Sequence, residues 1–559
     1  MATHNNKQVQ FWCILAFACL LAMNADVVGG QREKGDFVLW QQWTGVRWGD
    51  ALWGDFDGDG DLDLVYGGQT EADNQLTQTY ENQDGALVFR QELIGLHSGG
   101  NHHIAWGDYD GDGDLDLAIT GGIIGGDRIA RIYQNDGSGN LTLDNQQALT
   151  GLSSSSVAWG DYDNDGDLDL VIIGLDAQLR AVSILYRNEP TGTLEPDSSV
   201  TLLGLFNGLA EWADHDNDGD LDLLLMGRLD VDTYACRTVF YENDPVGTLT
   251  DTGNHGLPDL YYTPDAAWGD YDNDGDLDLA LLGIAGGGGV ARVYRNDGGG
   301  NFTQVTQPLN LAGGGCAWGD YDNDGDLDLI FTGSTQYPYH DHTKIYENTG
   351  SDFSLAFSLV GLCLSSSSWA DVDQDGDLDL MITGNSHDGP YYARLYRNLG
   401  FPKNTPPLPP TELDEEWTDE GLRLSWSGAS DAETPTDGLY YCLRVGTSPG
   451  AHDIMSGTYG SPLMGNVGQM TEIVLDVPAG QYDWSVLAID SGFMTSCAPC
   501  VGDIWEDGEV DTVDLLILLS DWGNCPDPPE DCPSDLDGNG TVNTADLLLL
   551  LLANWGPCE

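Results

Sequence analysis

Five aspartates within nine residues have few chemical uses. In Asp161-Tyr-Asp163-Asn-Asp165-Gly-Asp167-Leu-Asp169 the acids occupy positions 1, 3, 5, 7 and 9 around Gly166. Ca²⁺ is a hard cation that takes six to eight oxygens, and alternate carboxylates converge on one ion only if the chain curls tightly. A glycine at position 6 permits that curl. Position 7 is expected to offer its backbone carbonyl, with side-chain oxygens coming from positions 1, 3, 5 and 9. The spacing recurs at Asp55, Asp57, Asp59, Asp61 and Asp63, and again at Asp108, Asp110, Asp112, Asp114 and Asp116. Further copies are Asp214, Asp216, Asp218, Asp220 and Asp222; Asp270, Asp272, Asp274, Asp276 and Asp278; Asp320, Asp322, Asp324, Asp326 and Asp328; and Asp371, Asp373, Asp375, Asp377 and Asp379. Seven such loops without a counter-ion would crowd like charges seven times over. The expected cofactor is therefore Ca²⁺, one ion per loop.

The elements that position these loops are strands. The loop resembles the first half of an EF-hand, but position 12, where that family places a bidentate glutamate, is Tyr66 or Ile172. The following Leu168-Asp-Leu-Val-Ile-Ile-Gly174 is short, β-branched and closed by glycine, a strand pattern. Each copy begins at a tryptophan (Trp53, Trp106, Trp159, Trp212, Trp268, Trp318, Trp369), and about 25 residues later a Tyr-x-Asn marker follows, as in Tyr186–Asn188 and Tyr241–Asn243. A repeat of about 50 residues with four short strands has the dimensions of a propeller blade. The sequence thus predicts a mainly β chain with a seven-bladed propeller over 36–400. The last unit lacks an outer strand, and Phe37–Thr44 is expected to supply it, which would remove two open sheet edges. The strict period of the tryptophans assigns them to packing between blades. His102, His103, His340 and His342 read as solvated loop residues. The variable stretches His97–His103, Ser153–Ser156, Gly313–Cys316 and Ser365–Ser368 are the expected ligand-binding surface.

The chain has 559 residues, with 92 acidic against 19 basic and a formal net charge of −73; the seven loops hold 35 of the acids. Such a field repels phosphate backbones and anionic headgroups, so nucleic acid is excluded as a partner. Residues 1–25 read as a signal peptide, with Lys7 ahead of the apolar run Phe11–Met23. That run is too short for a transmembrane span, and no other segment is long enough. The expected location is secreted or cell-envelope associated, in a bacterium. Cys236, Cys316 and Cys363 read as small buried hydrophobes, whereas Cys497, Cys500, Cys525, Cys532 and Cys558 crowd the tail and suit disulfide stapling.

With the loop, its flanking strands and the Tyr-x-Asn marker all recurring, residues 37–400 resemble FG-GAP/VCBS repeats, the Ca²⁺-loop blades of integrin α-like propellers. That resemblance implies an exported propeller used for adhesion or ligand binding. After a proline-rich linker (401–411), alternating segments over 412–496, with Trp426 and Trp484, resemble a fibronectin type III-like sandwich, read as a spacer. The tail, 501–559, resembles a duplicated type I dockerin. Asp503, Asp507, Asp511 and Asp514 precede one leucine-rich helix, and Asp535, Asp537, Asn539, Thr541, Asn543 and Asp546 precede another. This resemblance implies one or two further Ca²⁺ ions and a cohesin-like partner. The function expected is non-enzymatic binding of a glycan or cell-surface protein, with the tail docking the molecule elsewhere. The alternative is a catalytic or accessory component of a polysaccharide-degrading assembly, although no catalytic constellation stands apart from the loops.

Overall fold

The computed structural model describes residues 37–83, 85–94, 103–123, 126–189, 192–244, 246–305, 310–335, 339–350, 352–387, 389–400, 403–418, 421–447, 454–455, 465–475 and 477–496, together with four residue pairs in the tail. The signal-peptide stretch lies outside the described residues. Among the described residues the chain is mainly β, and the helical structure is one 3₁₀ turn, Thr436–Gly438.

Each loop joins the first and second strands of a four-stranded antiparallel unit. In the third unit Ser153–Gly160 pairs with Asp169–Leu175, which pairs with Ala181–Glu189, which pairs with Thr193–Pro196. The second strand is buried on both faces: Leu170, Val171, Ile172 and Ile173 are each at most 1 % exposed. Its near-continuous apolar run reflects that double burial. The same order holds for the units built on Asp116–Gly122, Asp222–Arg228 and Asp278–Ala285. Two long strands, Val38–Gly54 and Phe353–Ala370, each serve two neighbouring units and merge the rest into one eleven-stranded sheet.

The strand Val38–Gly54 joins the two ends of the array. Its second half pairs with Asp63–Thr70 in the first unit, and its first half pairs with Tyr391–Arg397 in the last. The pairing expected of Phe37–Thr44 is present over Val38–Val46. Repeated four-stranded units whose ends pair with each other make a β-propeller.

The seven repeat tryptophans are 2–5 % exposed, as packing between units requires. Ring stacking supplies their contacts. Tyr109 stacks on Trp159 at 6.0 Å, Tyr162 on Trp212 at 6.3 Å, and Tyr271 on Trp318 at 5.9 Å, so the aromatic at loop position 2 faces the tryptophan of the next unit. Gly160 makes this approach possible, because a Cβ there would stand 2.7 Å from Trp212.

Beyond the repeats, Asp414–Trp417, Leu422–Ser425 and Glu472–Leu475 form one small sheet, and Tyr440–Gly446 pairs with Asp483–Ile489 in another. Leu422, Leu424, Leu443, Val445, Leu475 and Trp426 form their shared core. In the tail, Glu509–Val510 pairs with Gly556–Pro557, and Gly523–Asn524 with Thr541–Val542. The leucine-rich segments expected to be dockerin helices, and the tail cysteines, lie outside the described residues.

Two expectations are corrected. His103 is fully buried, its backbone N–H donating to Asp50 at 3.0 Å and its carbonyl accepting from Thr120, because it stands directly before the first strand of its unit, Ile104–Gly107, and is not a solvated loop residue. The stretches expected to form a ligand surface are largely interior. Ser155, Ser365 and Gly313–Cys316 are buried; Ser156 Oγ accepts the Ala210 N–H, and Ser365 Oγ donates to Thr332 Oγ1. Neighbouring first strands converge there and bond to one another. His97–His102 lies outside the described residues.

Candidate metal centres

The loops close through their own carboxylates. Asp161 Oδ1 accepts the Asp165 N–H at 3.1 Å and its Oδ2 accepts the Gly166 N–H at 2.9 Å. Asp55, Asp108, Asp214, Asp270, Asp320 and Asp371 do the same. Position 5 caps position 7: Asp165 accepts the Asp167 N–H, as Asp59, Asp112, Asp218, Asp274 and Asp324 do for Asp61, Asp114, Asp220, Asp276 and Asp326. Position 6 has φ between +84° and +96° in all seven loops, the left-handed region that favours glycine. Position 4 is also left-handed, at +51° to +73°, which explains why it is Gly, Asn or Gln.

Positions 1, 3 and 9 converge. Ligand oxygens of Asp55, Asp57 and Asp63 lie within 4.8 Å of one another, as do those of Asp108, Asp110 and Asp116 and of Asp161, Asp163 and Asp169. Buried Oδ1 atoms of Asp57, Asp216, Asp272 and Asp373 have no hydrogen-bond partner. A buried carboxylate oxygen left without a donor is expensive, and a cation would satisfy it. In the third and seventh units a guanidinium supplies part of that charge, with Arg187 on Asp163 and Asp165 and Arg397 on Asp373 and Asp375. An all-oxygen, multiply charged donor set at these spacings fits Ca²⁺. Asp57, Asp110, Asp163, Asp216, Asp272, Asp322 and Asp373 would hold it together with positions 1 and 9 of their loops.

Electrostatics gives the same reading. Burial, partly offset by a backbone N–H from the Tyr-x-Asn asparagine, pushes Asp63 up to about 8, Asp116 to about 9, Asp278 to about 9 and Asp379 to about 8. Asp169 and Asp328 are likewise held well above the usual carboxylate range, by burial and by the charge of position 1. Carboxylates pushed up by desolvation and by each other are those a divalent ion would return to the ionised form.

Two roles of the sequence motif emerge only in three dimensions. The Tyr-x-Asn asparagine is a bridge between units. Asn188 donates its backbone N–H to Asp169 at 2.7 Å, and its side-chain amide to Tyr109 O of the preceding loop at 2.6 Å and Leu168 O of its own at 3.1 Å. Asn135, Asn243, Asn296, Asn348 and Asn398 repeat this on Phe56, Tyr162, His215, Tyr271 and Tyr321. Asn82 bonds to Val372 O, from the first unit to the last. The side chains at positions 4 and 7 join units in the same way. Asn164 donates to Asp220, Asn217 to Asp276, Asn273 to Asp326 and Asn323 to Asp377, while Gln374 donates to Gly60 O of the first unit. The recurrence of Asn at both places was the signal available in the sequence.

The loop face is partly covered. The Asp270 N–H donates to Tyr440 Oη at 2.8 Å, Gln469 donates to Asp270 Oδ2 at 2.9 Å, and Ser491 Oγ donates to Asp320 Oδ2 at 2.9 Å. Asn404, in the proline-rich stretch, bonds to Gly376 O and Asp490. The small C-terminal sheets therefore rest on position 1 of the fifth and sixth loops. Of the tail residues expected as ligands, Thr541 is placed only as backbone in a paired strand; Asp503, Asp507, Asp511, Asp514, Asp535, Asp537, Asn539, Asn543 and Asp546 lie outside the described residues.

Residues 55–119, 123–172 and 282–331 match the family model described as FG-GAP-like repeat. No curated protein matches the chain. Among solved structures it is similar to an exotype rhamnogalacturonan lyase, at 16% identity over 66% of this chain and 75% of that one, with TM-score 0.36. It is similar to a polysaccharide lyase at 12% identity over 68% and 95%, TM-score 0.37. A six-bladed fucose-recognising lectin of the fungus Aleuria aurantia is matched at 8% identity over 58% and 97%, TM-score 0.30. The chain carries FG-GAP-like repeats on a β-propeller.

Proposed function

We propose that this is an exported, seven-bladed propeller that is stabilised by Ca²⁺ in its seven loops and works as a non-enzymatic binding protein. One observation carries the reading. Among the described residues, every carboxylate with a raised pKa lies in one of the seven loops, Asp490 excepted. Apart from Asp490, the carboxylates that could serve as tuned acids or bases are thus those of the loops proposed to hold the metal. The C-terminal sheets cover part of the loop face, so the ligand is expected on the opposite rim. There an open cleft of about 710 Å³ lies between the first and last units, lined by Thr44, Thr70, Glu71, Asn74, Gln75 and Tyr391. An aromatic ring beside amide and carboxylate groups suits the CH faces and hydroxyls of a glycan. For the tail we propose a cohesin-like partner, on the loop–helix pattern of 503–514 and 535–546.

The test is a panel of neutral and anionic polysaccharides offered to the full-length protein with Ca²⁺. Retention of a glycan without new reducing ends or unsaturated products supports the proposal, and Tyr391→Ala should weaken it. Release of such products would replace the binding reading with a catalytic one.

A further inference from the structure

The fourth unit departs from the others at loop position 2. Where they carry Phe56, Tyr109, Tyr162, Tyr271, Tyr321 or Val372, it carries His215, which is 1% exposed. His215 Nδ1 lies 2.5 Å from Asp222 Oδ2, and its Nε2 is buried without a hydrogen-bond partner. A proton on Nδ1 satisfies the carboxylate and leaves a lone pair on Nε2. His255 follows the outer strand Leu249–Gly253 of the same unit. Its Nδ1 is 2.9 Å from Gly300 O, a carbonyl that can only accept, so Nδ1 carries the proton and the Nε2 lone pair accepts the Thr252 hydroxyl at 2.9 Å, a bond that a metal ion would displace. The Glu242 carboxylate is 3.6 Å from that Nε2. One ligand atom from each of His215, Glu242 and His255 falls within 4.8 Å of the others.

We propose that His215, Glu242 and His255 form a transition-metal site, with Zn²⁺ as the ion whose chemistry fits best. Two neutral imidazoles and one carboxylate are a zinc donor set that leaves one position open. Asp222 on the far nitrogen of His215, and Gly300 O on that of His255, are the outer partners that fix ring orientation and tautomer in such sites. Tetrahedral bonds of about 2.0–2.1 Å place ligand atoms about 3.3 Å apart, so atoms now within 4.8 Å of one another must draw in by up to about 1.5 Å. Glu242, with a side chain 36% exposed, has room to make that movement. The space in front of His215 exists because residue 300 is glycine: a Cβ there would stand 2.7 Å from His215 Nε2. An open cleft of about 330 Å³, lined by His255, Gly300, Asn301, Phe302 and Thr303, gives an ion its approach. Ca²⁺ disfavours nitrogen ligands, so this site and the aspartate loops sort the two metals by donor type. The ligands span the loop, third strand and outer connection of one unit, against Gly300 of the next. Zinc there would pin the fourth unit to the fifth.

The decisive experiment is equilibrium dialysis of the full-length, tag-free protein against Zn²⁺ and Co²⁺ in saturating Ca²⁺. The expected result is one zinc per chain attributable to this site and not displaced by calcium. Co²⁺ should give the visible absorption of a four-coordinate nitrogen–oxygen site. His215→Tyr, which installs the ring of the second, third, fifth and sixth units, should weaken zinc by at least about tenfold, as should Glu242→Gln and His255→Ala, with calcium stoichiometry unchanged. Glu242 and His255 are partly exposed, so their variants decide the matter even if His215→Tyr folds poorly. Absence of zinc binding under these conditions, or zinc affinity unmoved by Glu242→Gln and His255→Ala, overturns the proposal and leaves His215 as a hydrogen-bond partner of Asp222.

Discussion

Replacing Asn82 with alanine isolates the bond that ties the first unit to the last. Asn82 is fully buried; its amide donates to Val372 O at 2.8 Å and Leu62 O at 3.2 Å, and its Oδ1 accepts the Gly85 N–H at 2.9 Å. Alanine leaves two carbonyls and one N–H without a partner. Each buried, unsatisfied group costs about 1–3 kcal/mol, and partial relaxation brings the sum to about 3–5 kcal/mol. A repeat region of about 360 residues unfolds with an entropy near 0.8 kcal/mol/K, so the melting temperature should fall by about 4–7 °C. The assay is calorimetry in saturating Ca²⁺, with two comparisons. Asn243→Ala removes the equivalent bridge inside the array, where the amide holds Tyr162 O at 2.6 Å and Leu221 O at 3.1 Å, and should fall as far. Asn140→Ala, at an exposed side chain bonded to Asp136, should stay within about 0.5 kcal/mol of the parent. If Asn243→Ala falls and Asn82→Ala does not, the first and last units are not joined in solution. If neither falls, the bridging argument itself is wrong.

Calcium removal should be larger in effect and spread over the array. At about 1 mM Ca²⁺ and a Kd of about 0.1 mM each site adds roughly 1.4 kcal/mol, so seven sites add about 10 kcal/mol. Chelation should then lower the melting temperature by many degrees, and a melt that ignores chelator would contradict the assignment of all seven loops. The pH dependence should invert between the two forms. Without calcium, Asp63 and Asp379 near 8 and Asp116 and Asp278 near 9 bind protons in the folded state that the unfolded chain, with carboxylates near 4, has released. Stability of the calcium-free protein should therefore rise as pH falls from about 8 to about 5, whereas the calcium-loaded protein should lose stability as protons compete with the ion. Parallel pH profiles for the two forms would show that the loops do not exchange protons for metal.

The repeat itself was legible because its determinants are local. Glycine at position 6, a β-branched run after it and tryptophan before it each act within one strand–loop–strand unit, so Leu168–Gly174 could be read as a strand from its own residues. The unmatched stretch Phe37–Thr44 was legible by counting, since one outer strand was missing at the other end. What stayed hidden depends on partners far along the chain. Nothing near Asn188 announces that its amide ends on Tyr109 O, 79 residues away. Burial of Ser155 and Ser365 comes from strands of separate units meeting each other, so short polar side chains that look like surface loops end up inside, where Ser365 Oγ donates to Thr332 Oγ1 of the preceding unit. His215 was overlooked because one altered ring in a seven-fold repeat reads as drift until His255 and Glu242 are seen beside it.

Position 9 links the converging carboxylates to the joint between units, so calcium bound as proposed would act on the whole array. The position-9 carboxylate lies with those of positions 1 and 3, and its Oδ1 accepts the N–H of the Tyr-x-Asn asparagine, as Asp169 does from Asn188 and Asp278 from Asn296, while its Oδ2 accepts the position-2 N–H of its own loop, as from Tyr162 and Tyr271. That asparagine in turn holds a carbonyl of the preceding loop. Displacing position 9, by protonation or by repulsion in the absence of a cation, therefore pulls on the neighbour and not only on its own loop. Because Asn82 reaches Val372, the chain of linkages has no free end where such a displacement could be absorbed. The C-terminal sheets are joined to the same circuit through Asp270 and Asp320, whose carboxylates accept from Gln469 and Ser491. Loss of calcium from the fifth and sixth loops should accordingly loosen those sheets together with the blades, and a single cooperative transition on chelation follows from the hydrogen-bond pattern.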